Sequence, residues 1–497
     1  MTTQELTDNH AREFIRQDHK LFIGGEWVDS ATGETFETVN PATEEALARV
    51  PRAGGEDVER AVRAARTAFD HGSPWRKMTP SERGRVIWRI ADLIEEHADE
   101  FAMLEALDNG KPFKVARAAD IPLAADLFRY MAGWATKNEG DVIPVSALTA
   151  PGEYHAYTRR EPVGVAAQII PWNFPLLMAA WKLGPALAAG CTVVLKPAEQ
   201  TPLEALLLAQ LMAEAGVPGG VVNVLTGYGD AGAALAAHPA VDKVAFTGST
   251  EVGKQIVQAA SGNLKKVSLE LGGKSPNVVF ADADLASAVT GAAQGIFFNH
   301  GQCCNAGSRL YVQKEAYDDI VSGVAEQAKS IKVGSGLEPD TQMGPLISDE
   351  QFGKVLGYLE SGRSQGAETV TGGGRWGDHG YFVEPTVLTN TSPEMAVERE
   401  EIFGPVVCAV PFESEDDLVE MANQTDYGLA AGVFTRDISK AHRTAARIRA
   451  GTVWINCYHV FDAALPFGGY KQSGWGREMG HQVLENYTET KAVCAAL

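Results

Sequence analysis

Short apolar runs alternate with stretches of helical periodicity through the middle of the chain. The runs occupy 163–170, 192–196, 221–226, 244–247 and 266–270. Buried strands that alternate with helices favour a parallel sheet covered by helices on both faces. The pattern therefore predicts an α/β protein with a nucleotide-binding type of sheet.

Two amphipathic helices are predicted ahead of this region. In the first, apolar residues recur at helical spacing from Val58 to Phe69. The second follows Thr79-Pro80-Ser81-Glu82, which combines an N-cap, a first-turn proline and a capping-box glutamate. A short hairpin over 22–27 precedes both helices.

Two further regions complete the predicted organisation. A second α/β region runs from about Pro276 to Asn456, and the tail over 486–493 is expected to supply another strand. The segment 141–161 alternates polar and apolar residues as an exposed strand does. Since unpaired strand edges promote association, this segment is interpreted as either an oligomerisation arm or a solvent-facing ribbon.

Composition and charge narrow the function. The 497 residues are 45% hydrophobic and 22% charged, as in a folded protein of two or three domains. The formal charge of −21 repels nucleic acids and anionic membranes, so neither is expected as a partner.

The six cysteines have no zinc-type spacing, and no metal is expected. The stretch 2–20 lacks the apolar centre of a signal peptide, so the prediction is a cytoplasmic protein.

The candidate chemistry lies in the glycine-bracketed segment 298–309, which contains Cys303 and Cys304. A cysteine thiolate is a strong nucleophile, and the earlier carboxylate of Glu270 is suited to activating water. Spacing alone does not choose between the two cysteines. Free cysteine also packs often as a small buried hydrophobe, which is the structural alternative.

Two glycine-containing segments compete as the phosphate site. The segment 227–232 matches G-x-G-x-x-G after a strand, but the next strand is not followed by an acidic residue for a ribose. Its glycines are equally suited to a tight turn. The segment 246–253 is the better candidate, because a strand there leads into a helix whose first amides are free donors. Ser249 is expected to cap that helix, to contact phosphate, or both.

The pair Lys196 and Glu199 follows another strand, where an adenosine ribose would lie. A carboxylate there accepts a hydrogen bond from a 2′-hydroxyl and repels a 2′-phosphate. The predicted cofactor is therefore NAD rather than NADP.

Several long motifs then resemble one family in their order along the chain. They are Pro171-Trp172-Asn173-Phe174-Pro175, Phe246 to Gly253, Leu269 to Pro276, Phe298 to Arg309, Glu401-Ile402-Phe403-Gly404-Pro405-Val406 and Pro466 to Gly474. The chain resembles the NAD(P)-dependent aldehyde dehydrogenase superfamily over almost its whole length, and within it the bacterial phenylacetaldehyde dehydrogenase-like members. The resemblance implies an NAD-binding domain over 1–140 and 162–272, a catalytic domain over 273–474, and a small β oligomerisation arm formed by 141–161 and 484–497.

The same resemblance assigns roles to single residues. It makes Cys304 the nucleophile, Glu270 the general base and Asn173 an oxyanion donor, although Glu270 and Asn173 are also suited to local turns. Lys182 and Glu478 match a proton relay, with an ordinary ion pair as the alternative. The expected cofactor-binding residues are Ile169, Pro171, Trp172, Lys196, Glu199, Gly229, Phe246, Gly248, Ser249, Gly272, Glu401 and Phe403. The expected substrate pocket is formed by Phe174, Met178, Trp181, Phe298 (or its neighbour Phe297), Cys303, Asn305, Phe461 and Phe467.

The implied reaction is the NAD-dependent oxidation of an aldehyde to a carboxylic acid through a cysteine thiohemiacetal and a thioester. The apolar, aromatic set of pocket residues favours an aromatic or aryl-acetaldehyde substrate. The alternatives are a broad aliphatic aldehyde dehydrogenase, a CoA-acylating relative and a structural relative without turnover. Glu270 argues against the CoA-acylating alternative, because members of that branch generally lack this base. A homo-oligomer is expected, and a tetramer is favoured over a dimer.

Overall fold

The computed structural model describes residues 3–497 and the side chains from residue 10 onward. Residues 1 and 2 of the predicted domain segment 1–140, including Thr2 of the N-terminal stretch, lie outside the described residues. Among the helices of the described part, none combines the length and the apolar character needed to cross a bilayer.

Helices cover much of the chain. The α-helices are α1 (Thr3–Arg16), α2 (Gly55–Phe69), α3 (Pro74–Lys77), α4 (Pro80–Glu96), α5 (Ala98–Leu104), α6 (Phe113–Val115), α7 (Ile121–Trp134), α8 (Pro175–Ala189), α9 (Leu203–Glu214), α10 (Gly229–Ala237), α11 (Thr250–Ala260), α12 (Leu285–Phe297), α13 (Tyr317–Ser330), α14 (Asp349–Ser364), α15 (Ala396–Arg399), α16 (Glu415–Asn423) and α17 (Ile438–Arg447). Both predicted amphipathic helices are confirmed as α2 and α4, and the capping box of Thr79 and Glu82 is formed.

The strands follow the predicted alternation. They are β1 (Leu21–Ile23), β2 (Glu26–Val28), β3 (Thr35–Asn40), β4 (Glu45–Pro51), β5 (Val142–Ile143), β6 (Tyr154–Pro162), β7 (Val165–Ile169), β8 (Thr192–Lys196), β9 (Val222–Val224), β10 (Lys243–Thr247), β11 (Lys266–Glu270), β12 (Pro276–Val279), β13 (Arg309–Gln313), β14 (Glu368–Thr371), β15 (Thr386–Thr389), β16 (Val406–Phe412), β17 (Ala430–Phe434), β18 (Thr452–Ile455), β19 (Gly474–Trp475) and β20 (Thr488–Ala496). The predicted hairpin is β1 and β2, and the five predicted buried strands are β7 to β11.

The first large sheet has the order β19-β11-β10-β7-β8-β9-β1-β2 within the described residues. Strands β7 to β11 are parallel, whereas β1, β2 and β19 are antiparallel at the edges. Strands β7, β8 and β10 are buried along their whole length, because helices cover both faces. This confirms the predicted α/β class.

The second large sheet has the order β14-β15-β16-β13-β12-β17-β18, and only β14 is antiparallel. It corresponds to the predicted second α/β region. The chain passes from β11 of the first sheet to β12 of the second through residues 271–275. This short connection brings the carboxyl edge of the first sheet close to the start of the second.

A small separate sheet joins two distant parts of the chain. Strand β20 pairs antiparallel with β6 from Thr488 and Pro162 to Ala496 and Tyr154, and β5 lies on the other side of β6. The predicted tail strand is therefore confirmed, and it lies against the segment 141–161. The division into domains and the role of this sheet in assembly stay predictions.

Candidate active site

The carboxyl edge of the parallel strands carries the predicted polar residues. Asn173 follows β7, Ser249 follows β10, and Glu270 is the last residue of β11. In a parallel sheet these strand ends lie side by side, and ligands bind in the crevice outside them. Asn173 and Glu270 are buried, so the edge presents polar groups inside the molecule rather than to water.

Cys304 is brought to this edge by a sharp loop at the end of α12. Asn299, His300 and Gly301 have consecutive positive φ angles of 48°, 60° and 70°, a conformation that non-glycine residues rarely adopt. A residue larger than glycine would also not fit at position 301, because a β-carbon would overlap the backbone carbonyl of Gly404. Such concentrated strain is typical of functional loops.

A network of buried amides fixes this loop against the strand end. Asn173 Nδ2 donates to the Gln302 carbonyl at 2.9 Å, and Asn299 Nδ2 donates to the Asn173 carbonyl at 3.0 Å. Asn109 Nδ2 donates to the carbonyl of Trp172, the residue before Asn173, at 2.7 Å. Since a side-chain amide nitrogen carries two protons, Asn173 keeps a second N–H for another acceptor.

Cys304 and Glu270 form an electrostatically linked pair. Burial raises the pKa of the Glu270 carboxyl to about 8, against the opposing effects of Lys182 and Cys304. Burial, followed by the nearby Glu270, raises the pKa of the Cys304 thiol well above its ordinary value. Neither carboxylate oxygen of Glu270 has a hydrogen-bond partner of ordinary geometry among the described residues. The carboxylate is therefore free to accept a proton from the thiol or from water.

Lys182 and Glu478 lie beyond this pair. Lys182 Nζ donates to Glu478 Oε1 at 2.6 Å, and both side chains are buried. Lys182 belongs to α8, in which every residue is buried. Neither residue lines the cavity, but the charges of both act on the pKa of Glu270. The arrangement is compatible with the predicted relay and with the ion-pair alternative.

One cavity of about 380 Å³ brings most of the predicted site residues together. It contains the catalytic candidates Cys304, Glu270 and Asn173. The predicted cofactor residues that line it are Pro171, Trp172, Gly248, Ser249, Gly272, Glu401 and Phe403. The predicted pocket residues that line it are Phe174, Met178, Trp181, Phe298, Cys303, Asn305, Phe461 and Phe467. Phe297, the alternative to Phe298, is instead buried in the apolar core beside the second large sheet.

The cofactor end of the cavity is built around Glu401. Its Oε1 accepts from the Gly273 N–H at 2.9 Å, and burial raises the pKa of this carboxyl to about 7. Gly272 lies so close that a β-carbon there would overlap the carboxylate. Trp172 and Phe403 meet edge to face, with ring centroids 5.3 Å apart. These features provide a carboxylate acceptor for sugar hydroxyls beside flat apolar surfaces.

Five predicted cofactor residues do not line this cavity: Ile169, Lys196, Glu199, Gly229 and Phe246. They belong to the strand ends and helix start beside it. Lys196 Nζ lies 3.7 Å from Glu199 Oε2, and a β-carbon at Gly232 would touch Lys196 and Ile169. Gly229 begins α10, and the ring of Phe246 packs under Gly248.

The donor set of this face fits a dinucleotide. Ser249 Oγ accepts from the Val252 N–H at 3.2 Å and so caps α11, whose remaining first-turn amides are available to phosphate. Lys196 and Glu199 offer polar partners to one ribose, and Glu401 offers a carboxylate to the other. Glu401 and Cys304 line the same cavity, so NAD held by Glu401 would supply its hydride acceptor within reach of the thiol's cavity.

Sequence reasoning missed several cavity residues. They are Ala119, Asp120, Leu123, Leu177, Thr247, Gln351, Lys354 and His459. Gln351 supports the cofactor end, since its Nε2 donates to the Phe403 carbonyl at 2.8 Å. It lies on α14, a helix with a largely polar sequence, and no motif marks it. His459 lies in the loop after β18, close to residues that the sequence did single out.

The fold and the site are those of a dinucleotide-dependent oxidoreductase, with a buried cysteine as the candidate nucleophile. The profile of the aldehyde dehydrogenase family matches residues 27–493. The mitochondrial aldehyde dehydrogenase of Rattus norvegicus is 53% identical over 477 residues, which are 96% of this chain and 91% of that protein. Human aldehyde dehydrogenase 1A1 is 52% identical over 476 residues, with coverage of 95% and 94%.

Solved structures give the same result. The NAD⁺ complex of the aldehyde dehydrogenase from Bacillus cereus superposes with a TM-score of 0.96 at 52% identity, covering 98% of each chain. The chain therefore belongs to the aldehyde dehydrogenase family. The predicted family, fold class and activity, an aldehyde dehydrogenase that uses NAD, are confirmed.

Proposed function

We propose that the protein oxidises aromatic or aryl-acetaldehydes to carboxylic acids with NAD, through a thiohemiacetal and then a thioester on Cys304. One observation carries the proposal: a single cavity holds the Cys304 thiol, the Glu270 carboxylate and the Asn173 amide beside an aromatic wall. A nucleophile, a base and an oxyanion donor are the groups that this chemistry requires.

In the first step the Cys304 sulfur adds to the aldehyde carbon. Its proton passes to Glu270, because burial raises the pKa of this carboxyl to about 8 and makes it a stronger base than an exposed glutamate. The former carbonyl oxygen becomes an oxyanion. The free N–H of the Asn173 amide and the backbone N–H of Cys304 are assigned to stabilise it.

NAD, held by the residues around Glu401 and Ser249, would supply the hydride acceptor for this oxidation. Loss of the hydride leaves the former aldehyde carbon as a thioester on Cys304. Glu270 first releases the proton that it took from the thiol and then takes a proton from water. The hydroxide attacks the thioester carbon, the carboxylic acid leaves, and the Cys304 sulfur departs as a thiolate that is reprotonated. The Lys182–Glu478 pair is assigned to support the return of Glu270 to its ionised form, because the charges of both residues act on the pKa of Glu270.

The cavity wall supports an aromatic substrate. Phe174 and Phe298 stack with centroids 6.2 Å apart. Trp181, Phe461 and Phe467 form a second group, with the Trp181 and Phe467 rings 5.4 Å apart and the Phe461 and Phe467 rings 5.7 Å apart. Aromatic rings pack favourably in offset and edge-to-face geometries, so a substrate ring fits between these groups better than a small aliphatic chain does.

The central test compares two adjacent cysteines. We expect Cys304→Ala to abolish NADH formation and the acyl-enzyme seen by mass spectrometry, whereas Cys303→Ala keeps both. Full turnover by Cys304→Ala would refute the proposed chemistry.

NADH absorbance with a panel of aldehydes, with and without CoA, tests the substrate class. Signal only with CoA would indicate an acylating enzyme, and a preference of more than about tenfold for acetaldehyde over phenylacetaldehyde would refute the aromatic class.

The assembly and the location complete the proposal. The sheet of β5, β6 and β20 leaves Val142 and Ile143 exposed at its edge, and this supports an oligomerisation arm and a homo-oligomer, most simply a tetramer. All six cysteines are free thiols, which supports a reducing compartment such as the cytoplasm.

A further inference from the structure

His459 is a polar residue in the aromatic wall of the substrate pocket. It lines the cavity, and its ring centroid lies 5.2 Å from that of Phe298 and 6.3 Å from that of Phe461. Its φ angle is 58°, so the loop presents this side chain from a backbone conformation that few residues adopt. The neighbouring Tyr458 is anchored, because its hydroxyl donates to the Asn305 carbonyl at 2.8 Å.

The polar atoms of His459 lack partners inside the protein. Both ring nitrogens are buried, and neither has a hydrogen-bond partner among the described residues. The Asn305 Nδ2, in the residue after the nucleophile, is buried and unpaired in the same way. Buried polar groups are normally hydrogen-bonded, and an unpaired one costs free energy. Both residues line one cavity, so a ligand in that cavity can supply the missing partners.

The charge state restricts which ligand group fits. Burial lowers the pKa of His459 to about 3, and the imidazole is therefore neutral at physiological pH. A neutral imidazole has one donor nitrogen and one acceptor nitrogen. A hydroxyl group both donates and accepts, so it can pair with either nitrogen. A carboxylate or an ammonium on the substrate would instead meet an uncharged, mainly apolar wall and lose its hydration.

We propose that His459 is a specificity-determining residue that selects aryl aldehydes carrying a ring hydroxyl, by a hydrogen bond between that hydroxyl and the imidazole. The inference rests on the proposed oxidation of aromatic aldehydes and adds to it a polar group on the ring. The contact lies away from the reacting carbon and is made equally in the ground and transition states. It therefore lowers KM more than it raises kcat.

The test measures kcat/KM for phenylacetaldehyde and for its 2-, 3- and 4-hydroxy derivatives. In the wild-type enzyme we expect at least one hydroxy derivative to exceed the parent aldehyde about tenfold, mostly through KM, as one buried hydrogen bond allows. In His459→Phe that ratio should fall to about one. His442→Phe, at an exposed histidine on α17, is the matched control and should keep the wild-type ratio.

The ratio separates this inference from the proposed function. If phenylacetaldehyde is turned over efficiently but no hydroxy derivative is preferred, the role of His459 is refuted and the oxidation of aryl aldehydes stands. A preference that persists in His459→Phe also refutes it. If the positive φ prevents folding of His459→Phe, His459→Gly removes the imidazole without backbone strain, and the same fall in the ratio is expected.

Discussion

Lys182 Nζ lies 2.6 Å from Glu478 Oε1 in a buried ion pair whose charges act on the carboxyl of Glu270. Breaking such a pair leaves one buried charge without compensation, and this typically costs about 3–5 kcal/mol. We expect Lys182→Met to lower the free energy of unfolding by about this amount, measured by denaturant titration. The double variant Lys182→Met/Glu478→Leu should recover much of the loss, because it removes both charges.

An exposed pair provides the control for this prediction. Lys314 and Glu413 lie 2.8 Å apart at the surface, where solvent screens their attraction. Lys314→Met should leave the unfolding midpoint almost unchanged. Equal losses in Lys182→Met and Lys314→Met would contradict the assignment of a structurally important buried pair.

The pH dependence of thioester hydrolysis follows from Glu270. A carboxyl group acts as a base only when ionised, and the pKa of Glu270 is raised to about 8. The ionised fraction rises with pH through this value, so we expect the hydrolysis rate to increase with pH and to level off above about pH 8. Single-turnover measurement on the acyl-enzyme isolates this effect, because the esterified Cys304 no longer titrates.

Two variants decide whether Glu270 is responsible for that profile. Glu270→Gln should slow hydrolysis of the acyl-enzyme by about 10²–10⁴-fold and make it independent of pH. The first NADH should also form more slowly, because the Cys304 thiol loses its proton acceptor. Lys182 lowers the pKa of Glu270, so Lys182→Met should move the profile to higher pH. A wild-type profile in Glu270→Gln would assign the base to another group.

The Asn173 amide gives a third prediction. Its Nδ2 already donates to Gln302 and has one proton left for the oxyanion. Loss of an oxyanion donor typically costs about 2.7–4 kcal/mol of transition-state stabilisation, so we expect Asn173→Ala to lower kcat about 10²–10³-fold. Asn486→Ala removes a comparable amide, bonded to the Arg477 carbonyl away from the cavity, and should keep kcat. Similar losses in both variants would indicate a structural effect.

The sequence predicts the local structure of this fold well, for a physical reason. The capping box of Thr79 and Glu82 and the apolar period from Val58 to Phe69 act over neighbouring residues, and both helices form as expected. The strands β7 to β11 are recognisable because helices cover both faces of the sheet, so these strands read as short, mainly apolar runs.

Contacts between distant segments are harder to predict from the sequence than local structure is. Lys182 and Glu478 are 296 residues apart in the sequence, and no local pattern links a lysine in an apolar helix to a glutamate in a loop near the C-terminus. Only the resemblance to a family joined them. His459 was not predicted, because a single histidine in a loop matches no functional pattern. Its two nitrogens are buried and unpaired in the folded structure, where the rings of Phe298 and Phe461 lie next to it.

The exposed edge of the small sheet gives the last prediction. Val142 and Ile143 form β5 at this edge and are 74% and 43% exposed. An apolar strand edge is normally covered by another chain or protected by charge, so the double variant Val142→Lys/Ile143→Lys should reduce the mass measured by light scattering from that of a tetramer toward that of smaller species. Trp88→Lys, at an exposed aromatic residue on α4, is the control and should keep the wild-type mass. If the charged edge leaves the assembly intact, the subunits associate through a different surface and β5 is a solvent-facing ribbon.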